Sequence, residues 1–280
     1  MVSEINSKIN PIEMLKERKL IWKLAKNDFK TKFAGSYLGT IWAFVQPVIT
    51  VLVYWFVFEK AIGSATQTTR AGIEAPFLIW LMAGLVPWFF FQDAMNGGTG
   101  ALLEYNYLVK KVVFKINILP LVKIISALFV HLFFLAVAVL ICFGYGIYPN
   151  WYMLQVFYYA VCMILLVTGL VYATGAIVIF FRDMAQIVAI ALQIGVWATP
   201  IMWNIDSPDM AERIPDVVMK ILKLNPMYYI VNGYRDALIN KVAFWEYPGL
   251  TVYFWVFTVL ALWFGTAVFK KLRVHFADVL

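Results

Sequence analysis

From Ile124 to Phe181 the chain has no aspartate, glutamate, lysine or arginine. Charge is scarce elsewhere too, at 14% of 280 residues, against 63% hydrophobic residues. A water-soluble domain of this size cannot hide so much apolar surface, which excludes a soluble enzyme. Cysteine is nearly absent: Cys142 and Cys162 both lie in apolar runs, with no CxxC pattern. With no histidine partner either, that argues against metal or redox work, and the two read as small packing residues. No Gly-Lys dipeptide occurs, so there is no Walker A loop, and HExxH and GxSxG are missing as well. The first 37 residues are lysine-rich and have no apolar core of the kind a cleavable signal peptide needs. Without clustered carboxylates or histidines, a proton-coupled transporter or a membrane-embedded lipid-phosphate hydrolase has little to work with.

What remains is a set of apolar runs. A transmembrane helix needs about 20 mostly apolar residues, and the uncharged stretch holds two, 124–145 and 151–181, folded at Gly144–Asn150. Four more spans are predicted at 38–58, 77–95, 184–203 and 250–269. Gly97, Gly98 and Gly100 are expected to end the second span, leaving a loop over 97–117. Six spans put both termini on one side. Of 23 lysines and arginines, 16 then fall on the side of the termini and 7 on the other. That asymmetry marks the termini as cytoplasmic in a multi-pass plasma-membrane protein, and it accounts for the net charge of +7 without nucleic acid.

Residues 1–37 form the leading cytoplasmic segment. Asn10-Pro11 reads as a helix start. In the helix that follows, Lys16, Lys19, Lys23, Lys26 and Lys30 fall on one stripe at about 100° per residue, with Leu20, Ile21, Leu24, Ala25, Phe29 and Phe33 on the other side. Such a helix suits the membrane interface, its lysines near lipid headgroups. Lys30 and Lys32 precede the first span at the depth of lipid phosphates. Residues 204–248 are polar enough to leave the membrane. Pro215–Leu224 is amphipathic and Asn225-Pro226 starts a second short helix, so an outer re-entrant pair is expected. Its Met227, Tyr228, Tyr229 and Ile230 are expected to dip into the bilayer edge as an outer gate. Asp93 and His131 are ionisable residues inside spans and therefore candidates for function, but hydration near the span end for Asp93 and ordinary packing for His131 are the favoured readings. Most of the many tryptophans near span ends fit the interfacial aromatic belt. The tail is 270–280.

The fold expected is thus all-α and polytopic: six transmembrane helices, an N-terminal interface helix and an outer re-entrant pair. In the loop, Leu102, Tyr105, Leu108 and Val109 form an apolar patch beside Glu104 and Lys111. Left exposed, such a patch asks for a protein partner.

Several stretches carry a resemblance. Lys32-Phe-Ala-Gly-Ser-Tyr-Leu-Gly-Thr-Ile-Trp-Ala-Phe-Val-Gln-Pro47 resembles the start of the first span in permeases of polysaccharide-exporting ABC transporters of the ABC-2 type. Tyr54–Phe58, Gly84–Phe90, Phe181-Arg-Asp183, Lys223–Val231 and Val274–Asp278 are most similar to the wall teichoic acid exporter permeases of Gram-positive bacteria. The resemblance implies a homodimer without enzymatic activity of its own. It also implies two copies of a separate ATPase subunit that binds ATP and magnesium, while this chain binds no cofactor. Its substrate would be an undecaprenyl-diphosphate-linked anionic polymer, or O-antigen or capsule in sister branches, with the diphosphate entering at Lys30 and Lys32. The resemblance puts the coupling helix in 97–117, joined by Arg182 and Asp183, against a cleft of the ATPase.

Overall fold

The computed structural model describes residues 17–63, 66–109, 115–205, 207, 210 and 213–279. Among these, five helical stretches are long and apolar enough to cross a membrane: Gly39–Ala61, Phe77–Glu104, Ile116–Gly144, Trp151–Ile177 and Pro248–His275. A sixth apolar helix, Met184–Ala198, is shorter.

In chain order the α-helices are α1 (Arg18–Thr31), α2 (Trp42–Trp55), α3 (Phe77–Glu104), α4 (Asn106–Val109), α5 (Leu119–Gly144) and α6 (Gln155–Ile177). Then come α7 (Met184–Ala198), α8 (Asp216–Lys223), α9 (Pro226–Arg235), α10 (Pro248–Leu272) and α11 (Phe276–Val279). Between α2 and α3 a small antiparallel hairpin pairs β1 (Thr66–Thr68) with β2 (Glu74–Pro76). The predicted helix start at Asn10-Pro11 lies outside the described residues.

α3 is the axis of the bundle. From Phe77 to Phe91 it is apolar on every face, so this part is stable only where every face is covered, and α5, α6, α7 and α9 all pack against the helix. The glycines expected to end it do not: the helix runs on to Glu104. A Cβ on Gly98 would strike Val171 of α6, and one on Gly175 would press on the Gly98 carbonyl oxygen. The glycines here let two helices approach closely, and their backbone stays helical. α6 and α10 meet the same way, through Gly169 and Gly265.

The helix of the expected fifth span stops at Ala198. Pro200 forces its predecessor out of the helical region, and Thr199 is extended (φ −89°, ψ 127°). Fifteen residues reach about 22 Å, short of the bilayer's hydrocarbon core of about 30 Å. α5 begins five residues before the predicted start and takes Lys123 inside, while α6 is entered through a turn at Trp151–Leu154 and ends at Ile177. Cys142 and Cys162 are free and buried in the core.

One end of the bundle, here the basal end, gathers α1, the C-terminal ends of α3, α6 and α10, and the start of α5. The hairpin, α9 and the start of α10 sit at the distal end.

Candidate functional site

α1 presents Ile21 and Ala25 to Ile118 and Val122 at the start of α5, so its apolar side is covered by protein. Asp28 lies on that same side, two turns after Ile21, and is carried into the interface with 2% exposure. There its carboxylate meets Lys123 at 2.7 Å and accepts a 2.6 Å hydrogen bond from the Tyr105 hydroxyl. Lys123, itself buried, also pairs with Glu104 at 2.6 Å and lies over the Tyr105 ring. Burial, and next the Asp28 carboxylate it bonds, push the Tyr105 phenol above its ordinary range, so it stays protonated and donates. A buried charge is tolerated only when paired and hydrogen-bonded. Four residues from three helices and one junction meet that requirement together.

The segment expected to couple to a partner is therefore divided. Leu102 is fully buried with Leu119, Tyr172, Ala176, Phe269 and Phe276, a contradiction of the exposed patch expected from sequence. α3 carries it two turns past the predicted end, into the cluster that binds the basal helix ends together. Tyr105 breaks the helix between α3 and α4, and both Tyr105 and Leu108 are half-buried against the same cluster. Glu104 stays exposed beyond its pairing with Lys123. Val109 ends α4, and Lys111 lies outside the described residues. Arg182 and Asp183 are exposed in the turn between α6 and α7. Leu103 and Asn106 share with Arg182, Ile179, Phe180 and Val279 a cavity of about 540 Å³ open to the basal end. The structure thus brings the segment after α3 and the Arg182 turn to one cleft.

The two lysines assigned to substrate are separated in role. Lys32 is ion-paired with Asp93, one turn before Gly97 on α3, whereas Lys30 is exposed with no pairing among the described residues. Asp93 therefore has a structural partner. His131 is buried, with one ring nitrogen 2.9 Å from the Tyr234 hydroxyl and the other 3.4 Å from the Val86 carbonyl oxygen, the contacts of a packed histidine.

At the distal end Asn225 caps α9 through its side chain, which accepts from the Met227 N–H. Met227, Tyr228, Tyr229 and Ile230 are buried inside the bundle, not at a lipid-facing edge. α9 is enclosed by α3, α6 and α10, burying Asn232 and Arg235 along with its apolar side chains, and the Tyr229 ring stacks on Phe254. It is the neighbouring α8 that stays open, with Val217, Val218 and Ile221 exposed. α9 ends in a π-turn at Asp236–Asn240. Asp236 is fully buried and accepts from Arg70 of the hairpin and from Asn240. Arg235 lies flat on Trp80 and donates to the carbonyls of Pro200 and Ile201.

Sequence reading missed Asp28 and the Arg70–Asp236 pair. An acid in register with Ile21, Leu24 and Ala25 was the available signal for the first. Nothing local marks Arg70 and Asp236 as partners, 166 residues apart.

The sequence profile of a family described as ABC-2 type transporter matches residues 19–239. The chain is similar to the O-antigen export system permease protein RfbA of Myxococcus xanthus, 27% identical over 267 residues that cover 95% of this chain and 97% of that protein. A Klebsiella pneumoniae O-antigen export system permease protein RfbA is 23% identical over 263 residues, 93% of this chain and 95% of that one. The polysialic acid transport protein KpsM of Escherichia coli is 24% identical over 253 residues, 87% and 89%.

Proposed function

The chain belongs to the ABC-2 type transporter family, and from that premise we propose that it is the membrane subunit of a polysaccharide exporter driven by a separate ATPase subunit. One observation carries the reading: likeness to an O-antigen export permease over 95% of this chain and 97% of that protein. A partial match would leave room for a different machine built on the same helices. The relatives are named for O-antigen and polysialic acid, so a sugar polymer is supported better than the teichoic acid suggested by the sequence resemblance. An undecaprenyl diphosphate carrier and a pair of these subunits complete the proposal.

In this reading the basal end is cytoplasmic, in agreement with the excess of lysine and arginine there. The ATPase subunit docks over the cleft of Leu103, Asn106 and Arg182. A nucleotide-driven change in that partner moves the spans only through contacts that differ between its states. The Tyr105–Asp28–Lys123 cluster sits beside the cleft and ties it rigidly to α1 and α5. Lys30 remains the cation offered to a lipid diphosphate, while Lys32 would have to leave Asp93 to join it.

Deleting the gene and analysing the lipid-linked polymer that accumulates inside the cell tests this directly. Accumulated glycan with loss of the same glycan at the surface is expected. A polyol-phosphate polymer would restore the teichoic acid reading, and unchanged surface polymer would overturn export itself.

A further inference from the structure

Seven lysines on and around α1 divide into two sets. Lys32, Lys115 and Lys123 are paired, with Asp93, Glu17, and Asp28 plus Glu104 respectively. Lys19, Lys23, Lys26 and Lys30 are all exposed, and among the described residues none of them stands in an ion pair. These four share one stripe of α1, opposite the side that buries Ile21, Ala25 and Asp28. The rotation of the helix about its axis is fixed by the buried Asp28–Lys123 contact, so the stripe cannot turn back toward the bundle. Trp22, 54% exposed, and Leu20, 37% exposed, border the stripe on its two sides.

We infer that this stripe binds the anionic phospholipid headgroups of the adjoining leaflet. The occupant is argued from charge and from the border. Four unneutralised cations in a row call for an anionic surface, and an exposed tryptophan beside them is the side chain that lipid interfaces favour. An interfacial helix ordinarily holds the membrane with its apolar face. Here that face is already covered by α5. Attachment therefore rests on the lysines, which makes it selective for anionic lipid and sensitive to salt.

The test uses the full chain alone in phosphatidylcholine nanodiscs doped with either spin-labelled phosphatidylglycerol or spin-labelled phosphatidylcholine. The protein-bound fraction of the phosphatidylglycerol probe is expected to exceed that of the other several-fold in low salt and to fall toward it in high salt. Lys19→Gln, Lys23→Gln, Lys26→Gln and Lys30→Gln together should abolish the preference with helicity and elution volume unchanged. Arginine at the same four positions should retain it, as should Lys270→Gln with Lys271→Gln at the same end. Equal binding of the two probes to the unaltered chain, as a stripe facing an acidic protein partner would give, overturns the inference. So does a preference that survives in the glutamine variant, or one lost only in the Lys270, Lys271 variant.

Discussion

The Asp28 carboxylate and the Lys123 ammonium meet at 2.7 Å, both buried, where α1 crosses the start of α5. Glu104, the other partner of Lys123, has a side chain 58% exposed. The two carboxylates therefore differ in weight. Removing one partner of a buried pair costs about 3 kcal/mol, whereas an exposed pair contributes roughly 0–1 kcal/mol. Asp28→Asn should lower the unfolding midpoint in detergent markedly, and Glu104→Gln should barely move it. Equal shifts for the two would show that burial does not decide here.

Leu102 is committed to the core while Tyr105 and Leu108 are only half-buried, so the proposed coupling to an ATPase subunit narrows to these two side chains. Tyr105→Ala with Leu108→Ala should release the ATPase subunit on purification or abolish substrate-stimulated hydrolysis. Tyr105→Phe removes only the bond to Asp28, and should keep the partner while weakening stimulation. Normal copurification and stimulation in the double variant would move coupling elsewhere.

At the crossing of α6 and α10, a Cβ on Gly265 would fall directly on the Gly169 carbonyl oxygen, whereas one on Gly100 would meet nothing within 4 Å. Gly265→Ala should destabilise the bundle by about 1–3 kcal/mol, the range for overpacking. Gly100→Ala, in a helix and with open space, should be neutral or stabilising by up to about 1 kcal/mol. Thermal unfolding of the two variants side by side checks the contrast.

Orientation can be read with an impermeant maleimide in a chain whose Cys142 and Cys162 are replaced by alanine. The charge asymmetry predicts that a cysteine at Trp151, fully open at the distal end, labels in intact cells. One at Val274, exposed at the basal end, should label only after permeabilisation. The reverse pattern would invert the protein in its membrane.

How much of this was legible in sequence follows from the range of each interaction. The uncharged run 124–181 announces a hairpin because hydrophobic length is a local property. Asn225-Pro226 announces a helix start for the same reason. Gly97, Gly98 and Gly100 misled because glycine has two uses, ending a helix or letting another helix approach, and only the presence of Val171 distinguishes them. Met227–Ile230 read from sequence as lipid-edge residues because length and amphipathicity cannot say whether lipid or protein covers an apolar side. Asp28 was readable as a misplaced acid, but its partners came from residues 77 and 95 positions away.

Arg70 and Asp236 join the hairpin after α2 to the end of α9, and Arg70 also lies over the Tyr247 ring. The preceding residue, Arg235, grips the chain just after α7. α2 and α7 bury only two residues each, so this dipeptide is an important tie at their distal ends. Asp236→Asn should leave Arg70 without its counter-charge and raise amide exchange across 66–76, while the middle of α5 stays protected. Arg70→Met with Asp236→Leu removes both charges at once and should recover much of the lost stability, because apolar replacement of a buried pair is often neutral or better. If exchange at 66–76 is unchanged in Asp236→Asn, the hairpin is held by its other contacts, the Asn204 side chain on the Thr68 carbonyl among them. If instead the double variant is no more stable than Asp236→Asn, the loss comes from the packing of Asp236 and not from a stranded charge.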